Sequence, residues 1–166
     1  SVYDIGGGKL QKKIPLLAQS ADHGDPSDRL EADIEGATLF ANQIAWISSH
    51  GRNKNGKVRQ DRWQLFSSHQ LAADGVTWKV SFSPSYHRLL DAILSAHHEG
   101  YGVLKTAIGD LGTRDPDLAP KRHGFNIEGM ATSPDGQSLL IGMRNPTKGG
   151  KALLFPIENA ADLLKS

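Results

Sequence analysis

The strongest constraint on what this chain can fold into is a stretch that occurs twice. The first copy reads Asp33-Ile34-Glu35-Gly36-Ala37, then Trp46-Ile47-Ser48-Ser49-His50-Gly51-Arg52-Asn53, and on to Gly56-Lys57. The second reads Asn126-Ile127-Glu128-Gly129-Met130-Ala131, then Leu140-Ile141-Gly142-Met143-Arg144-Asn145, and on to Gly150-Lys151. Ile-Glu-Gly returns after 93 residues (Ile34, Ile127), Arg-Asn after 92 (Arg52, Arg144) and Gly-Lys after 94 (Gly56, Gly150). Three anchors at nearly one offset imply that one supersecondary unit is used twice.

Around each copy the pattern alternates with a period of two, as half-buried strands do. Val2 to Ile5 and Leu10 to Leu17 read as a hairpin joined by Gly6-Gly7-Gly8, and Ser20 to Arg29 as a surface loop. Four strands follow in meander order: Ile34 to Phe40, Ile44 to Ser49, one opening at Trp63, and Val76 to Phe82, with turns at Ala41-Asn42 and Ala72 to Gly75. That is the size and order of a β-propeller blade. Ser83-Pro84 reads as a helix start, and apolar residues at helical spacing continue to Gly100. A second helix over Val103 to Leu111 ends at Gly112, and a loop runs from Thr113 to Gly124. The second copy supplies strands at Ile127 to Thr132, Ser138 to Met143 and Ala152 to Ile157, with a turn at Ser133-Pro134-Asp135-Gly136, and Glu158 to Ser166 begins a helix. The expected fold is therefore mainly all-β, with propeller-type antiparallel blades and a helical insertion. Residues 1–30 form a partial blade, 31–82 a full blade, 83–124 the insertion and loop, and 125–166 an incomplete blade. Closed propellers need at least four blades, so the chain is expected to be part of a larger propeller or to complete a ring by self-association.

Composition narrows the function classes. Net charge is +1, which gives no bulk attraction to nucleic acid or an anionic membrane. The basic run Arg52, Lys54, Lys57, Arg59, Arg62 reads as a solvated loop. No apolar run reaches the roughly 20 residues of a membrane span and no signal-peptide pattern is seen, so a soluble protein of unassigned compartment is expected. With no cysteine, disulfides, thiolate metal sites and cysteine nucleophiles are excluded. Serine-hydrolase elbow, phosphate-loop, zinc-protease and dinucleotide signatures are absent.

The chemistry-bearing residues gather at one end of each repeat hairpin. Centring the turns near Ala41-Asn42 and near Asp135 places Glu35 opposite Ser48, Asp33 opposite His50, Glu128 opposite Gly142 and Asn126 opposite Arg144. Glu35 and Glu128 are candidate acid/base residues, with His50 as a proton carrier. Asp33, Glu35 and Glu128 are candidate hard-oxygen ligands for Ca²⁺. Arg52 and Arg144 can receive an anion bidentately, with Asn53 and Asn145 beside them as substrate-binding or turn residues. Structural readings stand beside each: the Glu residues can staple neighbouring blades, and the arginines can pair with them.

These same segments, including WISSHGRNKNGK (46–57) and LIGMRNPTKGGKALLFPIEN (140–159), resemble an uncharacterised bacterial family catalogued as domain of unknown function 3616. The resemblance covers about residues 30 to 160 and implies a propeller-like fold and a longer full-length chain. It names no catalytic residues. The Glu-Gly strand openings are also similar, over a shorter stretch, to phytase-like esterase propellers. Asn126, where the first copy has Asp33, lowers the charge of any symmetric site. The functional expectation is a hydrolase of small anionic or ester substrates, phosphoric or carboxylic, with its site at the channel mouth. The alternative is a non-catalytic propeller scaffold that binds a protein or glycan.

Overall fold

The computed structural model describes residues 2–3, 10–12, 31–73, 78–97 and 99–165. The chain divides into two compact units, residues 1–30 and 31–166. In the first, β1 (Val2–Tyr3) pairs antiparallel with β2 (Leu10–Lys12). The triglycine turn and the loop at 20–29 lie outside the described residues, as do residues 74 and 75 of the turn expected at 72–75, whose residues 72 and 73 are strand instead.

The second unit is built on the repeat. β3 (Ile34–Phe40), β4 (Gln43–Ser48), β5 (Leu65–Ala73) and β6 (Trp78–Phe82) form one antiparallel sheet in meander order. β7 (Asn126–Thr132), β8 (Leu139–Lys148) and β9 (Lys151–Ile157) form another. The fold is thus mainly antiparallel β, and among the described residues no sheet closes on itself. Between the sheets lie α1 (Leu89–Ser95) and α2 (Gly102–Ile108), and α3 (Ala160–Leu163) follows β9. No helix among the described residues is long and apolar enough to cross a membrane.

The hairpin registers follow from the turns. Phe40 pairs with Gln43 across Ala41-Asn42, both of which have positive φ, as a two-residue hairpin turn requires. The expected register holds from there back to Gly36, which pairs with Ile47, and then slips. Ile34 pairs with Ser48, so Glu35 is the extra residue of a β-bulge. The second copy repeats the device: Gly129 pairs with Gly142, Ile127 with Met143, and Glu128 is the extra residue. The Ile-Glu-Gly signature is therefore a bulge signature. The expected pairings of Glu35 with Ser48 and Glu128 with Gly142 are each displaced by this one residue.

Three boundaries also differ from expectation. Ser83-Pro84 does not start a helix. The chain stays extended there because Tyr86 bridges Leu65 by two backbone hydrogen bonds, 2.7 and 3.2 Å, and helix α1 begins at Leu89. Helix α2 stops at Gly109, whose φ of 64° ends it before Gly112. Pro146 lies inside β8 rather than in a loop, and the ladder shift between Gly142 and Thr147 accommodates it.

The two sheets pack face to face, and the first strands of each lie side by side. Phe40, Ala45, Ile47 and Leu65 of the first sheet share one buried cluster with Ile127, Leu139, Ile141, Met143, Phe155 and Ile157 of the second. Leu89, Leu90, Ile93, Leu104, Ala107 and Ile108 from the two helices complete it. Thr38 and Thr132 join β3 to β7: Thr132 Oγ1 donates to the Leu39 carbonyl at 2.5 Å, and the Thr132 amide to Thr38 Oγ1 at 3.3 Å. Gly36 permits this approach. A Cβ there would lie 2.8 Å from the Met130 nitrogen and 3.0 Å from its Cβ.

Candidate functional site

Because β3 and β7 are neighbours and each opens with the same bulge, their two glutamates come to one corner. A regular strand would send residue 35 to one face in step with its neighbours. The bulge re-aims it, which is a frequent use of an unpaired extra residue. Glu35 and Glu128 are close enough that each carboxylate feels the other's charge, and Asp33 joins them. Partial burial, then repulsion from Asp33 and Glu128, raise the pKa of Glu35 above the ordinary glutamate value; Arg62 and Arg144 oppose that shift.

The members of the corner are not equivalent. Glu128 accepts from Arg144 Nη1 at 2.6 Å and from Asn126 Nδ2 at 3.1 Å. Asp33 is paired with Arg62 at 2.9 Å, and Arg62 also holds Glu31 at 2.6 Å. Glu35 makes no hydrogen bond or ion pair among the described residues. Its proton affinity is raised and its oxygens are uncommitted among the described residues. The corner carries four carboxylates and two arginines when all are ionised. Arg62 is engaged by two of the carboxylates and Arg144 by one, so the corner is net negative. A neutral or cationic polar ligand suits this balance better than the small anionic ligand expected from the sequence. Among the described residues no group of three or more His, Asp or Glu is arranged to hold a metal ion, which leaves Asp33, Glu35 and Glu128 without support as a Ca²⁺ set.

His50 lies away from this corner. It is 2% exposed, and its Nδ1 donates to the carbonyl of Ser48 at 2.9 Å, which fixes the tautomer. Its Nε2 is buried without a partner. Burial lowers its pKa to about 4, opposed by the Ser48 hydrogen bond and aided to a smaller extent by His87. The imidazole is therefore neutral, faces a cavity about the size of one water between the first sheet and the helices, and cannot move a proton at the corner.

Arg52 is likewise a correction. Its Nη1 donates to the carbonyls of Gly56 (3.1 Å) and Thr113 (2.6 Å), and its Nη2 to those of Ile108 (3.1 Å) and Asp110 (2.8 Å). With the side chain buried, it clamps the end of α2 and the following loop onto the first repeat instead of receiving a substrate. Asn53 closes its own turn, its Oδ1 accepting from the amides of Asn55 (2.9 Å) and Lys57 (3.0 Å). Asn145 donates to the carbonyls of Pro120 (2.8 Å) and Arg122 (3.2 Å), tying the same loop to the second repeat. Equal positions of the repeat thus do different work. Arg52 is a buried clamp, whereas Arg144 is exposed and pairs with Glu128.

Arg62 is the member that sequence reasoning placed elsewhere, in the solvated basic run. The signal was available. Extending the β4–β5 register of Ile47 with Leu65 brings residue 62 opposite residue 50, and the His50 amide does donate to the Arg62 carbonyl at 3.1 Å.

No family model, curated protein or solved structure matches the chain. The resemblance described above rests on its motifs alone.

Proposed function

We propose that the paired-bulge corner of Asp33, Glu35, Glu128, Arg62 and Arg144 binds a small neutral or cationic polar molecule, with Glu35 as its proton-exchanging carboxyl and hydrolysis as its chemistry. The observation that carries this reading is the contrast between the two glutamates. Glu128 is held as an acceptor, while Glu35 is uncommitted and burial and neighbouring carboxylates raise its proton affinity. A carboxyl of raised proton affinity beside one held as a hydrogen-bond acceptor is an arrangement suited to acid–base work. The fold reading that goes with it is propeller-type stacking, in which β3 and β7 are the first strands of successive blades and the corner sits at one end of the channel they line.

The test is a panel of chromogenic carboxylic and phosphoric esters, assayed against the intact chain and its Glu35→Gln variant. Turnover of a neutral or cationic ester that falls at least about 100-fold in the variant supports the reading, since general acid–base groups supply about that much. Turnover unchanged by the substitution refutes it.

A specific observation favours a second reading. Arg52, Asn145 and the Arg144–Glu128 pair are all occupied in holding the repeat together, as in a non-catalytic scaffold. In that case Glu35→Gln changes neither ligand binding nor turnover, and only Glu128→Gln, which breaks a pair, lowers stability.

A further inference from the structure

The cavity beside His50 is walled mainly by carbon, yet two polar atoms of its lining residues have no partner in the protein. Trp63, Leu90, Ala107 and Phe125 supply apolar walls, and His50 and Arg52 also line it. His50 Nε2 and Arg52 Nε are both buried without a hydrogen bond, on residues only 2% and 5% exposed. A buried polar atom left bare is costly, and in folded proteins such atoms nearly always find a partner, an ordered small molecule included.

The neighbouring side chains are turned to other work. The His50 ring is pinned, since its Nδ1 donates to the Ser48 carbonyl at 2.9 Å, so its Nε2 can only accept. Ser48 Oγ donates to the Arg62 carbonyl, and Ser49 Oγ accepts from the Gly51 amide at 3.2 Å. Both terminal nitrogens of Arg52 are spent on backbone carbonyls, and its Nε can only donate. The lining therefore presents one open acceptor and one open donor. A cation would meet the Arg52 guanidinium, and an anion would meet the Nε2 lone pair. A neutral hydroxyl suits both, because it donates and accepts. The cavity volume, about 10 Å³, is enough for about one water-sized group. Val58 and Leu111, which are only half-buried, also line it, so it reaches toward the surface.

We propose that this cavity is a binding site for one neutral hydroxyl group, held by His50 Nε2 as acceptor, with Arg52 Nε as the donor on the same lining. Water and methanol are the hydroxyl compounds nearest to its size. Water fits whole, whereas methanol fits with its oxygen inward and its methyl group toward Leu111. The site is independent of the carboxylate corner, because His50 lies away from it.

Nitrogen NMR of the histidine rings and solvent-to-protein Overhauser measurements on the labelled intact chain test it, first in plain buffer and then with methanol added. The His50 Nε2 resonance is expected to lie upfield of its position in a variant whose cavity is filled, because accepting a hydrogen bond moves it that way. Ala107→Val provides that variant, and circular dichroism checks that it is folded. Cross-peaks in plain buffer from a long-lived water to the Ala107 methyl and the Phe125 ring identify water as the source. Cross-peaks from the methyl group of methanol that take their place identify an alcohol. An Nε2 that shows no hydrogen bond in either solution overturns the proposal, and that result needs only the wild type. So does an Nε2 shift that is unchanged in folded Ala107→Val, since the donor would then lie outside the cavity.

Discussion

Acid should destabilise this domain through His50, by an amount that the structure allows to be worked out. The ring is buried, its Nδ1 is committed to the Ser48 carbonyl, and its Nε2 has no partner to share a second proton. Its pKa is about 4 in the folded chain, against an ordinary 6.5. Between those values the unfolded chain binds a proton that the folded chain refuses. The stabilisation is fully present above about pH 6.5 and is lost progressively as pH falls toward 4. At 1.36 kcal/mol per pKa unit the loss is about 3 kcal/mol, a large share of the 5–15 kcal/mol that holds a typical domain. Carboxylates titrate in the same range, so the comparison must be with a variant lacking only this group. His50→Asn is suitable because residue 50 has φ 53°, which asparagine tolerates better than most residues. Urea unfolding across that pH range gives the free energies. The wild type should lose about 3 kcal/mol more than the variant on acidification. If the two curves stay parallel, or the His50 ring titrates near 6.5 by NMR in the folded protein, the reasoning is wrong.

Other outcomes follow from single contacts. Arg52→Met leaves four carbonyls, two of them buried, without their shared donor and should cost about 3 kcal/mol, with faster amide exchange in residues 102–124 than elsewhere. Gly36→Ala should cost about 1–3 kcal/mol because its Cβ meets the Met130 backbone, whereas Gly129→Ala should fall within about 0.5 kcal/mol, since nothing lies near it. Chemical denaturation reads both. Glu35→Gln should leave stability at neutral pH unchanged or raised, because burial and like charges disfavour its ionised form; a clear loss would mean that the carboxylate is holding the fold together.

Much of the scaffold was legible in the residues. Alternation and turn signals place the strands of both sheets in meander order, and the 93-residue offset identifies the two sheets as related. The register was also legible up to the bulge. Beyond it, one inserted residue moves every later pairing, and no local pattern announces an insertion in a strand that still alternates. His50 and Arg52 were misplaced for the same reason. Their types suggest chemistry, yet once the register shifts they turn inward, and the segment that buries them comes from about sixty residues away. Arg62 failed in the opposite direction, since a basic run reads as solvated until the partner strand is placed beside it.

The sequence by itself determined that this chain builds a repeated antiparallel hairpin opening on Ile-Glu-Gly, because strand alternation, turn chemistry and glycine tolerance are local properties. Only the tertiary structure decided which members of that repeat meet. The approach of β3 and β7 brings Glu35 beside Glu128 while leaving one free and the other bonded. Such pairings depend on side chains distant in the chain competing for one space, and no local preference encodes the outcome of that competition.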